Sequence, residues 1–454
     1  MRIALLLDNP FRDLPGLVLT ALELCRHGAT CYLVPTRLRE QEVWTLAPDF
    51  VLLNNLRNDK EYFAGNLIEA GIGIGVLDTE GGVLVNLERY GRSLARPSHI
   101  RQGVSCFCSW GPRLAEYAVE NQWLSRDQVM VTGVPRLDFY AEPRRRVALA
   151  LTAAADGFPK PLVLINSNFS LANPLDRTPE EAARAKALLW NRDPGMIARE
   201  LAIEREAMQE MVALTTRLAD RLPSLTFVYR PHPFENPDTY GDRLPVRPNL
   251  HLVKHGTVDG WILRASAVIQ RGCSTAIEAT LAGVPAYAPS WIPTPYFFES
   301  VEAVSIPCAS DKDLAAGLQN PEIPEDTRSR LQVVLRDWFF AVDGESHCRV
   351  ARAILNAVEA LPPRPSPDFC RRALDGLVGP NVSWKQHLRA AGRRVLRRPP
   401  SWSFRQWRDA GFDSWAGSQC YFGVEEVVAV VRALGSGVGV QSAPSAHSIV
   451  LSAN

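Results

Sequence analysis

The chain has 454 residues, more than one hydrophobic core ordinarily organises, so two domains and an appendage are expected. A hydrophobic share of 46% and a charged share of 22% exclude a disordered or fibrous chain, and a formal net charge of +1 excludes nucleic acid as a partner drawn by the field of the whole molecule. Nine cysteines without a CxxC pair give neither a disulfide framework nor a zinc site and suit a reducing, cytoplasmic compartment.

The first apolar run, residues 2–7, ends at Asp8 and Asn9, too soon for a signal peptide, and reads as a buried strand. No stretch approaches the roughly 20 apolar residues that cross a bilayer. Further strands are expected at 30–34, 50–54, 72–77, 104–108 and 128–132, with amphipathic helices between them, such as 17–27 closed by Gly28. This alternation defines a first doubly wound α/β lobe over 1–145. In such sheets ligands gather at the carboxyl ends of strands, so the polar turns there are candidate donor or acceptor contacts: Asn9 and Arg12 after the first strand, and Arg136 in Thr132-Gly133-Val134-Pro135-Arg136.

Residues 74–82, Ile-Gly-Val-Leu-Asp-Thr-Glu-Gly-Gly, run from a strand into a glycine turn and offer two carboxylates to the crevice. Sugar transfer needs a group that deprotonates the acceptor hydroxyl and an anion that steadies an oxocarbenium-like charge. Glu80 is the first candidate, Asp78 the alternative, with Gly81 beside them. The preceding Gly71, Gly73 and Gly75 match a dinucleotide fingerprint only loosely, with the wrong spacing.

A link with Pro143, three arginines and a Gly-Phe-Pro-Lys-Pro stretch leads to a second alternating series over 158–360. Strands are expected at 162–166, 225–230, 250–254, 267–270 and 285–288, a long helix at 197–221, and closing helices at 325–339 and 346–360. Asn166 and Asn168 stand at the first strand end. In Tyr229-Arg230-Pro231-His232-Pro233 two prolines fix the backbone around His232, so its imidazole is presented rigidly where it can donate to a departing phosphate, with Arg230 assisting. Residues 268–279 pass from a strand through Gly272 to a helix start at Ser274 or Thr275, a natural cap and a seat for phosphate, with Glu278 in reach of a ribose. Asp311-Lys312-Asp313 lies near a helix start away from the cleft, so no metal is expected.

Residues 361–454 read differently, with Lys385, Arg389, Arg393, Arg394, Arg397 and Arg398 interleaved with Trp384, Trp402 and Trp407. This basic and aromatic mixture suits peripheral contact with an anionic inner-membrane face, or an appendage packed on the second lobe. The glycine- and serine-rich residues 435–445 read as flexible.

Taken in order, Arg12-Asp13-Leu14, Asp78-Thr79-Glu80-Gly81-Gly82, Trp110-Gly111, Thr132 to Arg136, Asn168-Phe169, Arg230 to Pro233, Trp261, and Gly272 to Thr275 with Glu278 resemble the bacterial surface carbohydrate biosynthesis protein family over about residues 1–360. More distantly, the His-Pro and Ser-Thr segments are similar to those of sialyl, polysialyl and Kdo transferases, and CDP-glycerol glycerophosphotransferases share a related lobe. The resemblance implies a GT-B fold, two Rossmann-like lobes facing a central cleft. It also implies transfer of a 2-keto sugar acid from a CMP-activated donor to a glycan or lipid-linked acceptor, without a cofactor. On that footing His232, Pro233, Gly272, Ser274 and Thr275 hold CMP, and Glu80 or Asp78 acts on the acceptor. Two departures stand out: Thr79 separates two acids that relatives carry side by side, and Val134 stands where they have Asn.

Overall fold

The computed structural model describes residues 1–57, 60–94, 97–189, 192–362, 422–443 and 447–453. Two mainly parallel sheets carry the chain. In the first, β1 (Arg2–Leu7), β2 (Thr30–Pro35), β3 (Phe50–Leu53), β4 (Gly73–Val76), β5 (Val104–Ser109) and β6 (Val129–Val131) lie in the order β2-β1-β3-β4-β5-β6. In the second, β7 (Leu162–Asn166), β8 (Thr226–Arg230), β9 (Leu250–Leu252), β10 (Ala267–Gln270), β11 (Ala286–Pro289) and β12 (Ile306–Cys308) lie in the order β12-β11-β10-β7-β8-β9. The central strands are continuous apolar runs because helices cover both faces of a parallel sheet; Ile3, Leu5, Val163 and Leu164 have no exposed surface. Strand order reverses between β1 and β3 in one sheet and between β7 and β10 in the other, and a crevice opens at such switch points.

The expected strands form within a residue or two. Helices differ more. The first, α1 (Pro10–Arg26), starts seven residues earlier than expected, because Asn9 accepts from Phe11 N at 3.0 Å and Pro10 takes the first helical position, where its missing N–H costs nothing. The long helix α2 (Pro194–Arg221) starts at a similar cap, Asp193, which accepts from Met196 N at 2.8 Å. A short helix, α3 (Thr275–Leu281), follows β10.

The ends of the two expected lobes are redistributed. Helix α4 (Ser346–Glu359), expected with the second lobe, returns to the first: Asp138 accepts from Ser346 N at 3.0 Å and His347 N at 2.9 Å, and Arg349 Nε donates to Thr132 O at 2.8 Å. Residues 435–443 of the stretch expected to be flexible are instead built into structure. A helix, α5 (Val424–Ala433), leads to the antiparallel hairpin of β13 (Gly439–Ser442) and β14 (Ile449–Ser452), and β14 pairs with β2. The described part of the appendage thus covers the edge of the first sheet, and Leu451 is wholly buried there. The basic and aromatic stretch expected at a membrane lies outside the described residues. Among the described residues no helix is long and apolar enough to cross a membrane.

Candidate active site between the lobes

The carboxyl ends of both sheets meet across a cleft of about 210 Å3. The first lobe contributes Arg12, Thr79, Glu80 and Arg136; the second contributes Asn166, Asn168, Arg230, His232, Pro233, Gly272, Ser274, Thr275 and Glu278. The lobes also touch directly. Tyr140 donates to Glu278 at 2.9 Å, Ser300 donates to Gly82 O at 3.1 Å, and Arg113 makes paired bonds of 2.8 and 3.1 Å to Glu299.

Three sequence candidates stand behind the cleft wall. Asn9 is fully buried as the cap of α1. Asp78 is buried and accepts from the Tyr90 hydroxyl at 2.9 Å and from Glu80 N at 2.9 Å, so it shapes the turn and does not face an acceptor. Gly81 lies against Trp110, where an added Cβ would approach the indole to 3.0 Å. Trp110 Nε1 in turn donates to Asp78 O at 2.7 Å.

Glu80 is the acid presented to the cleft, with its side chain half exposed. Arg57 donates to it at 2.7 Å. Burial within the cleft works to raise its pKa, but the charges of Arg57 and Arg12 and the Arg57 hydrogen bond outweigh burial and hold the carboxyl at about 2. A carboxylate so stabilised is a weak proton acceptor and is ionised at physiological pH.

His232 faces Glu80 from the second lobe. Its Nδ1 accepts from Phe234 N at 3.2 Å, which leaves the proton on Nε2. Its own N–H donates to Ser167 Oγ at 3.3 Å. Burial first, then the nearby Arg12 and Lys254 charges, push its pKa down to about 3 despite Glu80, so it is a neutral donor at physiological pH. Ser167 donates on to Glu235 at 2.6 Å, and Phe169 N donates to the same carboxyl at 2.5 Å. Burial raises Glu235 to about 7 against these bonds.

Arg230 does not serve as expected. Its two terminal nitrogens donate to His255 O at 2.7 Å and Gly256 O at 2.9 Å, and its guanidinium lies 5.4 Å from the Trp261 ring. It braces the turn after β9. Lys254, in that turn, reaches the cleft instead and donates to Glu235 O. Burial pulls its pKa down to about 7, with Glu235 opposing and Arg230 adding to the fall.

At the second switch point Asn168 Nδ2 donates to Gly272 O at 2.8 Å, joining the turns after β7 and β10, and Gly272 has a φ of +64° that suits glycine. Ser274 stands before α3 with helical dihedrals and no side-chain capping bond, so the expected cap does not form. Asn166 Nδ2, Thr275 Oγ1 and Arg136 Nε are buried without a hydrogen-bond partner among the described residues. Such groups cost stability unless a ligand satisfies them. All three line the cleft. Glu278 is shared by Tyr140 and, at 4.0 Å, Arg136; burial raises its pKa against both.

The residues that the sequence reading did not single out are Arg57, Tyr140 and Lys254. Lys254 follows β9 and Arg57 follows β3, so the strand-end rule reaches them. Tyr140 carries no such signal.

No protein-family model matches the chain, and no curated protein matches it. Among solved structures, a UDP-N-acetylglucosamine 2-epimerase superposes with a TM-score of 0.50 at 13% identity, covering 80% of this chain and 98% of that one. The S. aureus MnaA co-structure with UDP gives a TM-score of 0.49 at 12% identity over 80% of this chain and 99% of the other. The wall teichoic acid polymerase TagF gives 0.38 at 12% identity, over 57% of this chain and 59% of that one. At such identities the likeness concerns the fold, and the fold is GT-B-like: two Rossmann-like lobes across a cleft.

Proposed function

We propose that this chain is a glycosyltransferase of surface-polysaccharide synthesis. In this reading a CMP-activated 2-keto sugar acid, of the Kdo or nonulosonic acid type, gives its sugar to a glycan or lipid-linked acceptor. The observation that carries the reading is the opposition, across one cleft, of the neutral Nε2–H donor of His232 and an ionised Glu80, beside three unsatisfied polar groups. As the sugar–phosphate bond breaks, charge grows on phosphate oxygen and a positive charge grows on the ring. His232 Nε2–H, Asn166 Nδ2 and the Lys254 ammonium meet the first, and Glu80 meets the second. Glu80 takes the acceptor proton only as its bond to Arg57 lengthens. The reading requires no metal or cofactor, because leaving-group charge is met by protein donors.

The test is thermal stabilisation by CMP, CDP, UDP and GDP, for the wild type and for His232→Ala. Preference for CMP, lost in the variant, supports the reading; no response to any nucleotide rejects it. Preference for CDP points to polyol phosphate transfer. Nucleotide binding with cellular function retained in Glu80→Gln points to a noncatalytic binding role.

A second reading is favoured by the tight Arg57–Glu80 pair, which ill suits a general base for an acceptor hydroxyl. The chain would then rearrange a UDP-sugar, as the epimerases of similar fold do by their names. A preference for UDP, with sugar isomerised in the absence of acceptor, would establish it.

A further inference from the structure

Away from the cleft, the last turn of α1 meets the first turn of α4. Glu23, His347 and Cys348 offer ligand atoms that all lie within 4.8 Å of one another. Cys348 Sγ is 3.3 Å from His347 Nε2. His27, one helical turn after Glu23, places Nε2 3.6 Å from Glu23 Oε1. Asp138 fixes the imidazole from the other side, with Oδ2 2.8 Å from Nδ1, and is itself held by two backbone N–H groups. A carboxylate on the far nitrogen orients a metal-binding imidazole and raises its basicity.

We propose that Cys348 Sγ, His347 Nε2 and a Glu23 carboxylate oxygen form a binding site for a zinc-class divalent cation, with the fourth position left to water. One thiolate, one imidazole and one carboxylate in a compact group are ligands that Zn2+ takes, with water completing the tetrahedron. Binding breaks the Cys348 S–H bond: the sulfur pair goes to the metal, the proton goes to solvent, and no electron changes hands. Two arginines share the site. Arg26 holds Glu23 Oε2 at 2.6 Å, on the oxygen the metal does not need. Arg144 lies 3.1 Å from His347 Nε2 and 3.5 Å from Glu345, so it covers the imidazole lone pair without metal and turns to Glu345 when metal takes that pair.

A metal there would pin α4, the helix by which the chain returns from the second lobe, to the first helix of the fold. Its ligands come from two stretches far apart in the sequence, which is why no short motif announces it.

The test uses the full chain without an affinity tag, stripped by chelator and titrated with Co2+ and then Zn2+. The expected result is one Co2+ per chain with a thiolate-to-cobalt charge-transfer band, displaced by Zn2+, which also raises the melting temperature. Cys348→Ser is expected to lose the band. Since His347 is buried and packed under Asp138, Glu23→Gln serves as the second variant, expected to weaken Zn2+ at least tenfold. A wild-type spectrum without the band, a band retained in Cys348→Ser, or wild-type Zn2+ affinity in Glu23→Gln overturns the site.

Discussion

One guanidinium steadies both acids of the Asp-Thr-Glu turn: Arg57 donates to Glu80 at 2.7 Å and lies 3.4 Å from Asp78. Burial would raise the Glu80 pKa, and Arg57 is the first of the charges that bring it down to about 2 instead. Arg57→Met is therefore expected to move the acid limb of kcat/KM upward by about one to three pH units. The folded pKa is the lower one, so the pair's contribution to stability is fully present above the unfolded value of 4.5 and is lost as pH falls toward 2. Denaturant melts between pH 5 and 3 should show that loss in the wild type and less of it in the variant.

Asp78 and Glu80 should separate cleanly by substitution. Asp78→Ala leaves Tyr90 and a backbone N–H without their buried acceptor and is expected to cost about 2–4 kcal/mol of stability. Glu80→Gln is expected to melt within a few degrees of the wild type while turnover falls about 100-fold or more. Melting curves beside single-turnover rates distinguish the two; equal destabilisation in both would contradict the assignment.

For His232→Ala, nucleotide affinity should fall about tenfold, the value of one hydrogen bond to a charged group. Because burial keeps the imidazole neutral down to about pH 3, the histidine adds no step to binding between pH 6 and 8. The unfolded histidine takes its proton near 6.5 and the folded one does not, so stability falls as pH drops from 6.5 toward 3. Removing His232 should reduce that slope, as unfolding at pH 7 and pH 5 will show.

Lys254 is the group expected to make phosphate binding pH dependent. With a pKa of about 7, it is charged below neutrality and neutral above it. Nucleotide affinity should weaken as pH rises from 6 to 8, measured by calorimetry, and the dependence should flatten in Lys254→Met. Its depressed pKa has the opposite sign for folding: the unfolded lysine stays protonated to 10.5, so this term favours the folded state more as pH rises from 7 to 10.5.

Thr275→Val exchanges a buried hydroxyl that lacks a hydrogen-bond partner among the described residues for a methyl of similar size. Stability without ligand should hold or rise by about 1 kcal/mol, since the cost of an unpaired buried hydroxyl is removed, while nucleotide binding weakens. A loss of stability in the variant would mean that Thr275 serves the fold and not a ligand.

The strands were legible because a parallel sheet demands unbroken apolar runs, as in Ile3 to Leu7 and Leu162 to Ile165. His232 was legible because two prolines and a strand end fix its place. Where a long side chain turns was not legible: Arg230 sits beside His232 in sequence, yet its guanidinium is drawn to the carbonyls of His255 and Gly256. Nor does sequence show that Tyr140 crosses the lobes to Glu278. The hairpin of β13 and β14 was missed because its glycines and serines lower strand propensity, and only pairing with β2 makes it a strand.

That hairpin also sets an order of assembly. The edge strand β2, with Cys31 and Leu33 buried, cannot be covered until residues 449–452 have left the ribosome. The first lobe is thus finished only after the second has been made, and until then it presents an open strand edge to other nascent chains.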